Sequence, residues 1–388
     1  MKKYLFLLLI FAATTAAVAQ DSLRIKIDSL LQAPMFETTQ VGLMVYDLTA
    51  DSVVYKKNER QLLRPASTMK LVTAITALDR LGGHHEFTTR LCYTGTLDNG
   101  KLTGDLYCVG GFDPMVTPDD VKAMVQQLHL QGVDTLQGRI WADHSMKESL
   151  DYGEGWCWDD DNPVLKPLMV GRKDVFVNML IDELCADSVV LVDTRIGESG
   201  CPSNATTIVI NRHTMDQALQ RMMKKSDNFY AEAMFYQIAF DVAGHRHAKA
   251  ADARNGVKQL LRKVGVSDNS YRIADGSGLS LYNYVSADLE TRLLRYAWKN
   301  QRIYSHLLPS LPIAGVDGTL EKRMRKTAAE GNVRAKTGTL TGISSLAGYA
   351  TAKNGHQLAF CIINQGVLRN QDGKDFQDKV CQVLCDTY

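Results

Sequence analysis

The stretch Pro65-Ala66-Ser67-Thr68-Met69-Lys70-Leu71-Val72-Thr73-Ala74-Ile75-Thr76-Ala77-Leu78-Asp79-Arg80-Leu81-Gly82-Gly83 decides how the rest of this chain is read. Pro65 breaks the chain ahead of it. Met69, Val72, Ala74, Ile75 and Leu78 then recur at helical spacing until the two glycines stop the run. The spacing predicts a helix over 66–81 with Ser67 in its first turn. Lys70 follows three residues later, so the two side chains share a face one turn apart. No other charge follows Lys70 until Asp79, and a lysine buried on an apolar helix gives up its proton more readily than one in water. Once neutral, it can take the serine proton and make a nucleophile. The helix N-terminus favours negative charge developing beside Ser67. Alone, Ser-x-x-Lys is a weak pattern, common on solvated helix faces.

Upstream, residues 41–48 and 53–55 are apolar and β-rich on either side of a polar turn, which predicts a hairpin. Downstream, residues 89–203 carry short strand-like runs, Gly turns and aspartates, as in Leu102-Thr103-Gly104-Asp105-Leu106-Tyr107 and Gly138-Arg139-Ile140-Trp141-Ala142-Asp143. We read 89–203 as an inserted β-rich domain and 20–88 with 204–388 as one discontinuous domain. A helical pattern returns over 214–223, breaks at Ser226-Asp227-Asn228 and resumes to Phe240. Near the end, residues 344–351 and 357–364 flank Lys353-Asn354-Gly355-His356, an Asn-Gly hairpin. A strand over 333–340 and a closing helix over 372–385 complete the pattern. Strands at both ends with helices between predict an α+β domain whose sheet is assembled from both termini.

Two further motifs give the Ser67 helix its context. Ser226-Asp227-Asn228 sits between helical segments. Its serine can relay a proton to a leaving amine, and Asn228 can bond a substrate peptide group. In isolation the tripeptide reads as a helix break or N-cap. Lys336-Thr337-Gly338, followed by Thr339, falls on a predicted strand. A strand edge can pair with an extended peptide. Lys336 and Thr337 can hold a substrate carboxylate, and Gly338 leaves room for close backbone approach. The backbone N–H groups of Ser67 and Thr339 supply an oxyanion hole. In this order, the three motifs describe a site for acyl transfer on a serine.

The chain resembles the class C low-molecular-mass penicillin-binding proteins, the D-alanyl-D-alanine carboxypeptidase/endopeptidases. Beyond the motifs, the resemblance runs through Gly104-Asp105-Leu106-Tyr107, Gly110-Gly111-Phe112-Asp113-Pro114 and Gly155-Trp156-Cys157-Trp158-Asp159-Asp160. It continues through Asp227-Asn228-Phe229-Tyr230-Ala231-Glu232, Asp275-Gly276-Ser277-Gly278-Leu279-Ser280 and Leu311-Pro312-Ile313-Ala314-Gly315-Val316-Asp317-Gly318-Thr319-Leu320. It implies an α+β, penicillin-binding transpeptidase-like (serine β-lactamase-like) fold, with an antiparallel sheet flanked by helices and an inserted domain. It implies a serine-type D-Ala-D-Ala carboxypeptidase, with DD-endopeptidase activity also open. That enzyme acts on peptidoglycan stem peptides through a Ser67 acyl-enzyme and is inhibited covalently by β-lactams. It further implies that Asp160 grips the amino end of the stem peptide's diamino acid. Two features depart from the family: the stretch between Lys70 and Ser226 is shorter than usual, and Leu165 replaces a tyrosine near Asp160.

Two alternatives share the scaffold. A class A β-lactamase would add, between the second and third motifs, a glutamate with an asparagine four residues on. Glu232, Glu290, Glu321 and Glu330 are followed at that distance by Tyr236, Leu294, Arg325 and Arg334. A non-catalytic wall-binding or β-lactam-sensing protein would have lost a motif residue, and none is lost.

Composition narrows the remainder. Lysine and arginine number 44 against 43 aspartates and glutamates, a balance without the basic footprint of a nucleic-acid partner. The histidines, with His84-His85 and His245/His247 the nearest pairs, show no ligand pattern, so neither metal nor cofactor is expected. Five of the eight cysteines fall between Cys92 and Cys201, so any disulfides would staple that segment, while Cys381 and Cys385 read as packing residues of a helix. Lys2 and Lys3, the apolar run from Tyr4 to Ala13, and Ala17-Val18-Ala19 predict a signal peptide cleaved after Ala19, hence a periplasmic protein. No later run of about 20 apolar residues predicts a membrane span.

Overall fold

The computed structural model describes residues 21–387 apart from Asp161 and Asp268, so the expected leader over 1–19 lies outside the described residues. In chain order, a helix over residues 21–30 (α1) precedes β1 (Gln40–Asp47) and β2 (Ser52–Lys57). A single 3-10 turn, Ala66–Thr68, runs into α2 (Met69–Arg80). Next come β3 (Glu86–Tyr93), β4 (Thr96–Asp98), β5 (Lys101–Thr103), β6 (Leu106–Gly110), α3 (Pro118–Leu130), β7 (Thr135–Asp143), α4 (Phe176–Ala186), β8 (Val190–Glu198) and β9 (Thr206–Thr214). Helices α5 (Met215–Lys224), α6 (Asn228–Ala243), α7 (Ala250–Lys263), α8 (Ala287–Lys299) and α9 (Gln301–Ser310) follow. The chain closes with β10 (Arg334–Leu340), β11 (Ile343–Thr351), β12 (Gln357–Gln365) and α10 (Asn370–Thr387). These elements form two compact units. The first holds the described residues up to Ile75, Gln220–Asp227 and everything from Gln259 on; the second holds Thr76–Leu219 and Asn228–Lys258.

In the first unit an antiparallel sheet runs β10-β11-β12-β1-β2. Its centre joins the two ends of the chain, with Gln40 opposite Gln365 and Asp47 opposite Leu358. The near-continuous apolar runs of β11 and β12 are buried at almost every position, as expected of strands covered on both faces. On one side Phe376, Val380 and Leu384 of α10 pack on Leu43, Val45, Leu346, Phe360 and Ile362. Cys381 and Cys385 are buried in the same core. α8 packs on β12 and β1.

In the second unit β7 pairs in parallel with β5 and then β6 along one edge, and with β8 along the other. Parallel neighbours need crossover connections, and α3 and α4 supply them. α3 starts on Thr117, whose hydroxyl and Asp120 carboxylate make a reciprocal capping box. Its Val121, Met124, Val125 and Leu128 pack with Phe176, Leu180 and Leu184 of α4 against Leu136 and Ile140. The segment read as β-rich is therefore mixed α/β. Its sheet also reaches past the 89–203 bounds, because β3 starts at Glu86 and pairs with β9 out to Thr214. All eight cysteines are free thiols.

Candidate active site

Ser67 lies in the 3-10 turn ahead of α2, and that turn is strained. Ala66 adopts φ 49°, a left-handed conformation that costs a residue with a Cβ roughly 1–2 kcal/mol. Several contacts within the first unit hold it there. Pro65 O accepts hydrogen bonds from Ser345 Oγ and from Thr68 Oγ1, the latter at 3.0 Å. Gly338 of β10 lies so close that a Cβ there would sit 2.6 Å from Pro65 O and 2.9 Å from Ser67 N. Gly278, at φ 81°, leaves no room for a Cβ against Ala66 O. Two glycines thus let two backbones close on the turn that carries the serine.

Lys70, one turn along α2, has no exposed surface. Its Nζ donates to Ser67 Oγ at 3.0 Å and to the carbonyl of Ser277 at 2.8 Å. That carbonyl belongs to a loop organised by buried Asp275. The Asp275 carboxylate accepts from Gly278 N, Ser280 N, Asn283 Nδ2 and Ser277 Oγ at 2.7–3.2 Å. Thr73 Oγ1 ties α2 to the same loop through Gly276 O.

A second serine–lysine pair repeats the arrangement. Lys336 on β10 is also fully buried, and its Nζ donates to Ser226 Oγ at 2.9 Å and to Thr337 O at 2.7 Å. Burial, and then the charge of neighbouring Lys70, push the Lys336 ammonium well below its ordinary range. Two ammonium groups in one buried place disfavour each other's charge. Ser226 is itself left-handed, at φ 59°. The adjacent Asp227 is pinned by Arg221 Nε at 3.1 Å. β10 is an edge strand. Its outer edge is paired at Arg334 and Ala335 by Ile313 and Pro312, and Thr337 and Thr339 follow beyond that pairing. Thr337 Oγ1 reaches Thr319 Oγ1 at 2.8 Å, and Thr339 is exposed. Ser67, Lys70, Ser226, Lys336, Thr337, Gly338 and Thr339 all belong to the first unit.

A family model for the D-Ala-D-Ala carboxypeptidase 3 (S13) family matches residues 23–170 and 169–386. The chain belongs to that family. As a member it is a serine-type D-Ala-D-Ala carboxypeptidase, a hydrolase. It is 29% identical to a D-alanyl-D-alanine carboxypeptidase of Actinomadura sp. (strain R39), over 91% of this chain and 83% of that one. Its fold is similar to that of penicillin-binding protein 4 of Haemophilus influenzae, with TM-score 0.79, 24% identity and coverage of 92% and 97% of the two chains. It is also similar in fold to a predatory peptidoglycan endopeptidase of Bdellovibrio bacteriovorus, with TM-score 0.60, 16% identity and coverage of 89% and 93%.

Two residues singled out from the sequence lie in the second unit of this carboxypeptidase. Asn228 opens α6, and its Nδ2 donates to Asn162 Oδ1 at 3.3 Å. Asp160 is half-buried and closes its own turn, its Oδ2 accepting from Cys157 N at 2.7 Å. Trp158 beside it is 91% exposed. Sequence reasoning did not assign Ser277 and Thr319, although both fall in stretches that carry the family resemblance. Ser277 contributes a backbone carbonyl, which any residue type supplies. Thr319 is placed by the loop that Asp317 anchors to Lys224 Nζ at 2.7 Å. Among the described residues, no group of three or more His, Cys, Asp or Glu is placed to hold a metal ion, and no helix is long and apolar enough to cross a membrane.

Proposed function

We propose that this carboxypeptidase cleaves the terminal D-Ala-D-Ala bond of peptidoglycan stem peptides through an acyl-enzyme on Ser67. The observation that carries the reading is the pair of serine–lysine hydrogen bonds, Lys70 to Ser67 and Lys336 to Ser226, among side chains from three separate segments. In this reading Lys70, as a neutral amine, takes the Ser67 proton while Ser67 Oγ bonds to the carbonyl carbon of the penultimate D-Ala. The backbone N–H groups of Ser67 and Thr339 hold the oxyanion. As the peptide C–N bond breaks, Ser226 relays to the departing amine the proton that Lys70 took from Ser67, which returns Lys70 to the neutral amine and leaves Ser226 a hydroxyl. Lys336 and Thr337 hold the terminal carboxylate, whose negative charge favours the protonated form of Lys336. Asn228 bonds the substrate peptide group. Water then releases the acyl group and restores Ser67.

The same geometry supports attack on a β-lactam carbonyl, leaving a long-lived acyl-enzyme. A cross-linked stem presents the same acyl group with a larger leaving amine, so endopeptidase activity is part of the proposal. Asp160 is proposed to take the free ammonium of the stem's diamino acid. The protein is proposed to work in the periplasm after cleavage at Ala19.

Intact-mass measurement after incubation with penicillin tests the core of this reading. One covalent adduct is expected on the wild type and none on Ser67→Ala. An adduct of equal yield on Ser67→Ala would overturn it. Digestion of purified muropeptides then separates release of free D-Ala from opening of cross-links.

A further inference from the structure

Glu290 stands on α8 inside the first unit with 1% of its surface exposed, and none of the three motifs includes it. One carboxyl oxygen lies 2.8 Å from Thr68 Oγ1, on the residue after the nucleophile. The other lies 3.3 Å from Cys361 Sγ on β12. The Thr68 hydroxyl is also 3.0 Å from Pro65 O. A hydroxyl carries one proton, so it cannot donate to both oxygens. One arrangement serves every contact. Glu290 is a carboxylic acid whose O–H donates to Thr68 Oγ1. Thr68 then donates to Pro65 O, and the Cys361 thiol donates to the second carboxyl oxygen. An ionised Glu290 would draw the Thr68 proton to itself, leaving the Ser345 hydroxyl as the side-chain donor to the Pro65 carbonyl.

We propose that Glu290 is a positioning residue: through Thr68, its carboxylic acid holds the Pro65–Ser67 turn in the strained shape that presents the nucleophile. Ala66 at φ 49° needs such support, since a left-handed alanine persists only where its surroundings over-determine it. Burial pushes the Glu290 carboxyl up to about 7, against the pull of the Thr68 and Cys361 hydrogen bonds. α8 packs against β12, β1, β11 and α9. Besides Glu290, the titratable side chains on these elements are Cys361 on β12, Tyr46 and Asp47 on β1, Tyr349 on β11, Arg302, Tyr304 and His306 on α9, and Asp288, Arg292, Arg295, Tyr296 and Lys299 on α8 itself. Of these, Cys361 is the one that acts on the carboxyl. The acid form is therefore the resting form in mildly acidic medium, and ionisation through neutrality and above would loosen the turn.

The proposal rests on the Ser67 reading, and its test keeps the two apart. Acylation by a labelled penicillin is followed from pH 5.5 to 9 in wild type, Glu290→Gln and Glu290→Leu. Glutamine keeps a donor for Thr68 and an acceptor for Cys361 but cannot ionise. At pH 6 the Gln variant is expected within about threefold of wild type, and the Leu variant slower by about tenfold or more at every pH. The ratio of Gln to wild-type rate should rise through a midpoint near 7. Parallel profiles for wild type and Gln, or a Leu variant as fast as wild type, would overturn the proposal. If the Leu variant does not fold, the Gln comparison stands by itself. If wild type takes up no penicillin at any pH, the acyl-enzyme reading fails. The carbon-13 resonance of the Glu290 carboxyl then decides: titration near 7 keeps the acid, and titration near its ordinary 4.5 removes it.

Discussion

The Ser67 site and the Asp160 turn are held in opposite ways. Lys70 and Lys336 have no exposed surface, and each is bonded to a serine and to a main-chain carbonyl. Each lysine takes one of its partners from a distant part of the chain: Lys70 bonds the Ser277 carbonyl, and Lys336 bonds the Ser226 hydroxyl. Asp160, in the other unit, is half-buried and bonds a main-chain N–H three residues away, beside a tryptophan that is 91% exposed. In the first case a lost partner leaves a buried polar group unsatisfied, at about 1–3 kcal/mol or more for a charged group. In the second, water substitutes. Substitutions in the Ser67 site should therefore have large effects on every substrate, and those at Asp160 small and selective ones.

The largest effect is expected from Lys70→Arg. The charge is kept, but a guanidinium cannot be deprotonated in a protein and cannot act as a base. Acylation by penicillin should fall by about two to four decades. A rate within threefold of wild type would show that burial of Lys70 serves stability and not proton transfer.

Gly338→Ala tests the packing side of the same comparison. Its Cβ would meet Ser345 Oγ at 2.1 Å, Pro65 O at 2.6 Å and Ser67 N at 2.9 Å. Forcing these apart should cost about 1–3 kcal/mol, read as a lowered denaturation midpoint, with a slower acylation step. Gly132→Ala in the other unit is the control. It sits at φ 86° with nothing within 4 Å, so only backbone strain of about 1 kcal/mol applies, with acylation unchanged. Equal acylation in both variants would detach the close approach of β10 from the serine turn.

Glu290→Gln makes a stability prediction with a definite sign. The folded carboxyl titrates near 7, above its ordinary 4.5, so between those values the folded state holds a proton that the unfolded chain has lost. Stability should fall as pH rises through that window and level off above it, by on the order of 3 kcal/mol in total. Denaturant titrations of wild type and variant at pH 5 and pH 8 measure the difference. A variant with the wild-type slope would place the ionised form in the folded state across the window.

What could be read beforehand follows the same division. Ser67, Lys70, Ser226 and Lys336 were legible because each sits in a short motif whose residue types have few other uses in that combination. The sheet was legible because the runs of β11 and β12 flank a recognisable Asn-Gly turn and β1 is a further apolar, β-rich run near the other end. Glu290 was not, because it acts on Thr68 from 222 residues away, and no local pattern marks a buried acid. Ser277 was not, because a carbonyl has no side-chain signature. In the second unit the glycines and aspartates around 102–105 and 138–143 drew the reading to strands. The helical period of Val121, Met124, Val125 and Leu128 was present but sat between those stronger strand cues. The bounds at 89 and 203 missed the pairing of β3 with β9, a long-range match that composition does not encode.

The smallest effect concerns Asp160, and two substitutions are needed to read it. Asp160→Ala removes both the charge and the acceptor for Cys157 N, so it loosens the turn by about 0.5–1.5 kcal/mol whatever the substrate. Asp160→Asn keeps a carbonyl acceptor for that N–H and removes only the charge. If the carboxylate meets the ammonium of a stem peptide, Asn should lower kcat/KM for that peptide by roughly three- to tenfold, a modest contact because water screens it. Acylation by a penicillin lacking the amine should not change. Ala should show the same selective loss, with any additional effect shared by both substrates. A penalty from Asn on both substrates would make Asp160 part of the folded turn only. No penalty from Asn, with a shared penalty from Ala, would say the same more directly: the side chain is there for its hydrogen bond to Cys157, and the stem-peptide amine is recognised by other groups.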